Sequence, residues 1–325
     1  MHSSNGTDQT EHFVTLFDNN FLPIGLCLHA SLMQHGQPFH LWIVCMDDLV
    51  EQNLRNLALP SVSLIPLSEV EDTRLLGVKP TRSRAEYCWT LTPFTPQFVF
   101  DRDSSVYRVT YLDADLFFFD APILLINEFV ASAKHVLITE HAYDPRHERS
   151  GRASRGGRFC VQFMTFRRTE KALKVMHWWQ ERCLEWCYAR VEDGKFGDQK
   201  YLDVWPELFN NEVHILRQKE KTLAPWNVLY YEKLSQGKIA PVFYHFHGLR
   251  LESASSLLLY SGYRVGEAAN NLYDIYLICL KSILVKLTDS GIAIPHLPRR
   301  NDLLGKIIKC KHRLIDGEKS VSLYG

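Results

Sequence analysis

The chain has no surplus of either charge: 37 lysines and arginines meet 37 aspartates and glutamates. A neutral balance leaves no global field to gather a polyanion, which argues against nucleic acid as a partner. Nor does any apolar run approach the length of a membrane span. Residues Met1 to Thr10 lack the basic start and apolar middle of a secretory signal, and a disordered tail is expected there. The eight cysteines show no paired zinc-ligand spacing. Scattered through the chain, several of them in apolar segments, Cys27, Cys45, Cys88, Cys160, Cys183, Cys187, Cys279 and Cys310 read as reduced, buried thiols of a cytoplasmic protein. Cys183 and Cys187, one helical turn apart among aromatics, are expected to pack in the core.

What is present builds a core. With 46% hydrophobic residues in 325, the chain can bury one large domain with elaborations. Reading along it, Phe13 to Phe17 is a short apolar strand that ends on Asp18-Asn19-Asn20, and a helical pattern runs from Pro23 to Gln34. Leu41 to Met46 is a second strand, Val50 to Leu57 a helix, and Val62 to Leu67 a third strand. Strands alternating with helices imply a parallel sheet with right-handed crossovers, whose ligands sit beyond the carboxyl ends of the strands.

One stretch interrupts this pattern. In Val109-Thr110-Tyr111-Leu112-Asp113-Ala114-Asp115-Leu116-Phe117-Phe118-Phe119, two carboxylates one residue apart break an apolar, β-prone run. Desolvating a carboxylate beside a buried strand is costly unless a cation or donors compensate, and an Asp-X-Asp pair at a strand end can offer oxygens to a hard divalent metal. A solvated turn is the other reading, against which the apolar flanks argue.

Further along, an aromatic helix is expected from Trp178 to Arg190, followed by the polar turn Glu192-Asp193-Gly194-Lys195. Asp198 after Gly197 reads as the N-cap of a new helix. Ala224-Pro225-Trp226-Asn227 is a rigid turn in which Trp226 either stacks on the apolar face of a ligand, the acceptor sugar under the resemblance given below, with Asn227 on a hydroxyl, or is buried beside a capping Asn. Val242 to Arg250 alternates in strand fashion and puts His245 and His247 on one face, a pairing more often gathered around a metal or an anion. Tyr143 to Gly157 reads either as a loop that closes over a ligand or as plain surface.

Taken together, Asp18-Asn19-Asn20-Phe21, Tyr111-Leu112-Asp113-Ala114-Asp115, Asp198-Gln199 and His245-Phe246-His247-Gly248 resemble the motifs, in the same order, of GT-A fold nucleotide-sugar glycosyltransferases. The chain is similar to the glycogenin and bacterial lipooligosaccharide galactosyltransferase family over most of Phe13 to Arg250. The resemblance implies a Rossmann-like mixed, mostly parallel sheet flanked by helices, with a C-terminal helical extension. It divides the chain into a tail (1–10), a catalytic domain (11–255) and a helical, basic amphipathic extension (256–325). It also implies a UDP-sugar donor, a glycan or lipid-linked acceptor, and a manganese or magnesium ion held by Asp113, Asp115 and His245. Asp18, Asn20, Arg84, Asp113, Asp115 and Arg250 would bind the donor, and Asp198 and Gln199 would face its sugar. A retaining, front-face substitution is implied; an inverting one would need a carboxylate base, with Glu140, Asp144 and Asp198 as candidates.

Two departures stand out. Cys160, in Arg158-Phe159-Cys160-Val161-Gln162, falls where the family shows an aromatic residue followed by Asn, and the basic residue after His245 comes one place early. Beyond Leu251 the resemblance fades into an apolar helix from Asn271 to Leu287 and a basic amphipathic run from Arg299 to Lys319. That run is expected either to dock peripherally on an anionic membrane face or to pack on the catalytic domain. Two rival classes share parts of the pattern: a haloacid-dehalogenase-type magnesium phosphatase, through Leu112 to Asp115, and a non-catalytic sugar-nucleotide-binding module, through Cys160.

Overall fold

The computed structural model describes residues 10–145, 151, 155–253, 255–297 and 317–323. Its first units are β1 (Glu11–Phe17), α1 (Leu22–His35), β2 (Phe39–Cys45), α2 (Asp48–Leu57) and β3 (Val62–Pro66), within two residues of expectation. The connection to the next strand carries three short helices, α3 (Thr73–Val78), α4 (Arg84–Leu91) and α5 (Thr95–Arg102). Then come β4 (Arg108–Leu112), β5 (Leu116–Phe118), α6 (Ile123–Ser132), β6 (Val136–Glu140), β7 (Phe159–Arg167), α7 (Glu170–Glu185), α8 (Trp205–Leu208) and β8 (Val213–Ile215). The main sheet has the order β3-β2-β1-β4-β7-β6-β8, with β7 alone antiparallel to its neighbours.

This is the mixed, mostly parallel α/β architecture expected. Strand alternation feeds two cores. Val14 and Leu16 of β1 point to the face covered by α5 and α7, whereas Phe13 and Phe17 point to the face covered by α1. Arg108 and Glu11 form a buried ion pair that ties β4 to β1 at the end away from the strand carboxyl termini. Because β2 and β3 lie on one side of β1 and β4 on the other, the chain reverses its order between β1 and β4, where such sheets bind ligands.

A second small sheet, β5-β10-β9, adds β9 (Thr222–Leu223) and β10 (Phe243–His245), with α9 (Val228–Leu234) between them. Among the described residues the last part of the chain holds one long helix, α10 (Ala268–Asp289), as expected, yet it is not helical throughout. A three-stranded antiparallel sheet joins β11 (Arg250–Ser253), β12 (Ser256–Ser261) and β13 (Glu318–Ser322) across the expected boundary at residue 255. Helix α10 packs Tyr273, Tyr276 and Leu280 against Ile24 and Cys27 of α1 and against Tyr244 and Phe246. The basic run expected from Arg299 to Lys319 lies outside the described residues except for its end, where Glu318 and Lys319 are in strand rather than helix.

The aromatic helix is shifted from Trp178–Arg190 to Glu170–Glu185. Its buried stripe of Ala172, Val175, Met176, Trp179 and Cys183 begins earlier than the aromatic cluster, and Thr169 caps it by accepting from the Ala172 amide at 3.2 Å. Cys183 and Cys187 are core residues, as expected. Among the described residues no helix is long and apolar enough to cross a membrane.

Candidate active site

The carboxyl ends of β1 and β4 open onto a cavity of about 830 Å³. Asp18 follows β1 directly, 7% exposed, and caps a short 3-10 turn by accepting from the Asn20 and Phe21 amides at 2.9 and 3.2 Å. The Asn20 side chain donates to its other oxygen at 3.2 Å. Arg84 reaches in from the first turn of α4, which the capping box of Ser83 and Glu86 starts. Its guanidinium pairs with Asp18 at 2.7 Å and with Asp47, the N-cap of α2, at 2.5 Å. Asp18, Asn20 and Arg84 all line the cavity, and Asp47 is the partner that sequence reasoning missed.

Asp113 and Asp115 lie in the tight turn between β4 and β5, where the Leu116 amide donates to the Asp113 carbonyl at 3.2 Å. Their convergence with His245, far downstream, follows from strand pairing: β10 runs antiparallel to β5 and sets His245 opposite Leu116. The Phe246 amide donates to the Asp115 carbonyl at 2.9 Å and locks that register. His245 Nε2 then stands 3.0 Å from Asp115 Oδ1 and 3.9 Å from Asp113 Oδ2. On its other side His245 Nδ1 meets Gln162 Oε1 at 2.8 Å, so Nδ1 carries a proton and Nε2 faces the carboxylates. Tyr111 donates to Asp113 Oδ1 at 2.8 Å.

Two trios of metal-ligand side chains meet here, each with ligand atoms within 4.8 Å of one another: Asp115, His245 and His247, and Asp113, Cys160 and His245. His245 is common to both. Carboxylate oxygens suit hard divalent ions such as manganese, and imidazole nitrogen can complete their shell, so Asp113, Asp115 and His245 fit the expected ion. His247, seen in the sequence on the face of His245, joins the candidate set.

The charges interlock. Burial alone would lower the His245 pKa, but the charge and hydrogen bond of Asp115 raise it well above the usual imidazole range. Asp115 is held below the usual carboxylate range, burial being overcome by His245. Asp113 is pushed up to about 6, by burial first and by Asp115, against the pull of His245.

Asp198 and Gln199 line the wall facing these groups. Gly197, with φ +54°, turns the chain so that the Asp198 carbonyl accepts from Trp179 Nε1 at 2.9 Å. Asp198 stands at the N-cap of the 3-10 turn Gln199–Val204, as expected, but its side chain makes no capping bond and is only 6% exposed. Burial and the nearby charge of Asp113 push its carboxyl up to about 8. Gln199 donates its amide to the Gly156 carbonyl at 2.5 Å. Of the loop expected between Tyr143 and Gly157, residues 146–150 and 152–154 lie outside the described residues, while Tyr143, Arg155 and Gly156 line the cavity.

Several expected contacts fall elsewhere. Arg250 is exposed on β11 and does not line the cavity, although its charge acts on His247. Asn227 is 1% exposed and clamps its own turn: its amide donates to the carbonyls of His141 and Thr222, and its oxygen accepts from the Ala224 amide. Asn227 does not line the cavity, and its bonds match the other reading, a capping Asn beside a buried Trp. Trp226 is buried with Nε1 bound to the His141 carbonyl at 2.8 Å, yet its ring lines the cavity and abuts His245 and His247 edge to face. Glu140 is held by Arg158 and Lys219 and, like Asp144, is absent from the cavity wall, so Asp198 alone of the three candidate bases reaches it. Trp89, His141 and Tyr263 also line the cavity, and nothing in their local sequence singles them out.

No family model matches the chain. The uncharacterized protein YfnD of Bacillus subtilis is 30% identical over 283 residues, covering 84% of this chain and 89% of its own. Among solved structures, mouse xyloside xylosyltransferase 1 is 14% identical, with 74% of this chain and 98% of that one aligned at a TM-score of 0.48. The glycosyltransferase GlyE of Streptococcus pneumoniae is 13% identical, with 90% of this chain and 66% of that one aligned at a TM-score of 0.49.

Proposed function

The chain belongs to the family of Bacillus subtilis YfnD, whose description names no activity, and on that premise we propose a function from the site itself: metal-dependent transfer of a hexose-type sugar from a UDP-sugar to a glycan or lipid-linked acceptor. The observation that carries this reading is the convergence, on one cavity at the sheet's switch point, of an acidic and imidazole ligand set with a recess lined by Asp18, Asn20 and Arg84. Asp113, Asp115 and His245, with His247 beside them, would hold manganese or magnesium. Such an ion, when bound, supplies Lewis-acid neutralisation of the charge that develops on the departing diphosphate.

The remaining groups have separable parts. Asp18 holds Arg84 and the Asn20 backbone in place, so that Asn20 and Arg84 present the polar edge met by the nucleotide. Asp198 meets sugar hydroxyls from within a low-dielectric wall, where each hydrogen bond counts for more. Gln199, its amide committed to Gly156, keeps its carbonyl oxygen for positive charge at the anomeric carbon. A glutamine there supports a retaining reaction, because an amide cannot act as the general base that inversion requires. Trp226 and Tyr263 offer apolar faces to an acceptor. Seven free thiols among the described cysteines support a reducing, cytoplasmic setting.

The phosphatase reading leaves His245 and the cavity's breadth without a part. The binding-module reading is separated by turnover. Thermal shift with UDP should show stabilisation only when manganese is present, lost in Asp115→Ala, with UDP released from a panel of UDP-sugars. Stabilisation that survives a chelator would refute the metal site, and binding without any UDP release would make the protein a binding module.

A further inference from the structure

The cysteine that departs from the family pattern stands against the candidate metal residues rather than apart from them. Cys160 is on β7, two residues before Gln162, so both side chains point to one face of that strand. Gln162 holds the other two groups: its side-chain oxygen binds His245 Nδ1 at 2.8 Å, and its backbone carbonyl accepts from the Asp113 amide at 3.0 Å. The same strand therefore fixes all three members of the trio Asp113, Cys160 and His245, whose ligand atoms lie within 4.8 Å of one another. Cys160 is 4% exposed yet lines the cavity, which gives an ion a route in and a water-poor seat.

We propose that Asp113, Cys160 and His245 form a thiophilic cation site, suited to zinc or cadmium, that shares its imidazole with the Asp115 and His247 set and so excludes manganese. One thiol, one imidazole and one carboxylate form a donor set for tetrahedral zinc, with cavity water free to complete it. Ligand atoms around such an ion stand about 3.3 to 3.8 Å apart, so atoms already within 4.8 Å of one another have at most about 1.5 Å to close. Binding forms a metal–sulfur bond and releases the thiol proton to solvent, with no change of oxidation state. Soft and hard ions then sort by ligand: sulfur draws zinc and cadmium, whereas the oxygen and nitrogen set takes manganese. Among the described residues, no other cysteine belongs to such a trio.

The test uses the full chain, reduced with a phosphine and free of metal. Cadmium titration should raise a near-ultraviolet thiolate-to-metal charge-transfer band in the wild type and none in Cys160→Ser. The Asp113→Asn variant should keep the band but weaken cadmium by at least the roughly tenfold that even outer-shell partners contribute. Cadmium should also protect Cys160 itself from alkylation, read peptide by peptide in the unmutated protein, a measurement that does not depend on a variant folding. A band that persists in Cys160→Ser, or alkylation of Cys160 at the same rate with and without cadmium, overturns the proposal. Manganese binding is followed separately by electron paramagnetic resonance. If manganese never binds while the cadmium band appears and depends on Cys160, the transferase reading fails and the thiophilic site stands; if manganese binds and the band is missing, the reverse holds.

Discussion

Asp198 carries the residue-scale consequence with the clearest sign. Its carboxyl is raised from the ordinary 3.8 to about 8 by burial and by Asp113, so the folded protein holds a proton that the unfolded chain gives up near pH 4. A raised carboxyl stabilises fully only below the unfolded value, and that contribution is lost as pH climbs through the folded one. In metal-free protein, Asp198→Asn should therefore raise the melting temperature at pH 8, by an amount corresponding to a few kcal/mol, and leave it nearly unchanged at pH 4. Equal effects at both pH values in a melting series would show that Asp198 titrates normally. Asn227 makes the opposite case, since it contacts backbone and not ligand. Asn227→Ala should cost about 2 to 4 kcal/mol in denaturant unfolding, because it strands buried groups of His141, Thr222 and Ala224. A variant with unchanged stability and a weakened acceptor KM would restore the binding role. Both residues had two readings in sequence for one reason. A polar residue beside a turn has a generic local use, capping, and only its distant neighbours decide whether that is its whole part, as it is for Asn227, or not, as at Asp198. Asp113, Asp115 and His245 were legible because charge inside an apolar run has no generic use.

At the scale of elements, the first three strands and two helices could be read because short apolar runs, buried on both sides of the sheet, are set off by polar clusters such as Asp18-Asn19-Asn20 and Asp47-Asp48. Irregular segments hid what they do: α7 begins before its aromatics, and the recess wall draws on β12 and the turn at Gly197, where no periodic pattern points inward. α1 packs closely onto the end of β1. A Cβ at Gly25 would stand 2.5 Å from the Phe17 ring, and Phe17 is buried and borders the cavity beside Asp18. Gly25→Ala should cost about 1 to 3 kcal/mol by overpacking and should weaken UDP binding as Phe17 moves. Thermal melts with and without UDP and manganese separate the two effects. A variant as stable as the wild type, with unchanged UDP affinity, would mean that the helix simply rides outward.

For the whole molecule the question is whether residues beyond 255 form an appendage or part of one core. Tyr276 of α10 stacks on Phe246 with ring centroids 4.0 Å apart, and Phe246 is the residue after His245. Tyr273 packs on Tyr244, the residue before His245, so the long helix braces the face of the strand opposite the His245 side chain. Removing residues after Ser255 also strips β11 of its partner β12. Such a chain should lose its cooperative melting transition and bind a hydrophobic dye, whereas an independent domain would melt as before. Because gross truncation can unfold a protein for many reasons, a single substitution gives the sharper version. Tyr276→Ala should cost about 3 to 5 kcal/mol as a large-to-small core change. If α10 braces the site, manganese affinity measured by electron paramagnetic resonance on the folded fraction should fall as well, because Phe246 loses the surface that holds His245 in register with Leu116. Reduced stability with unaltered manganese affinity would instead make α10 a support of the fold with no hold on the site.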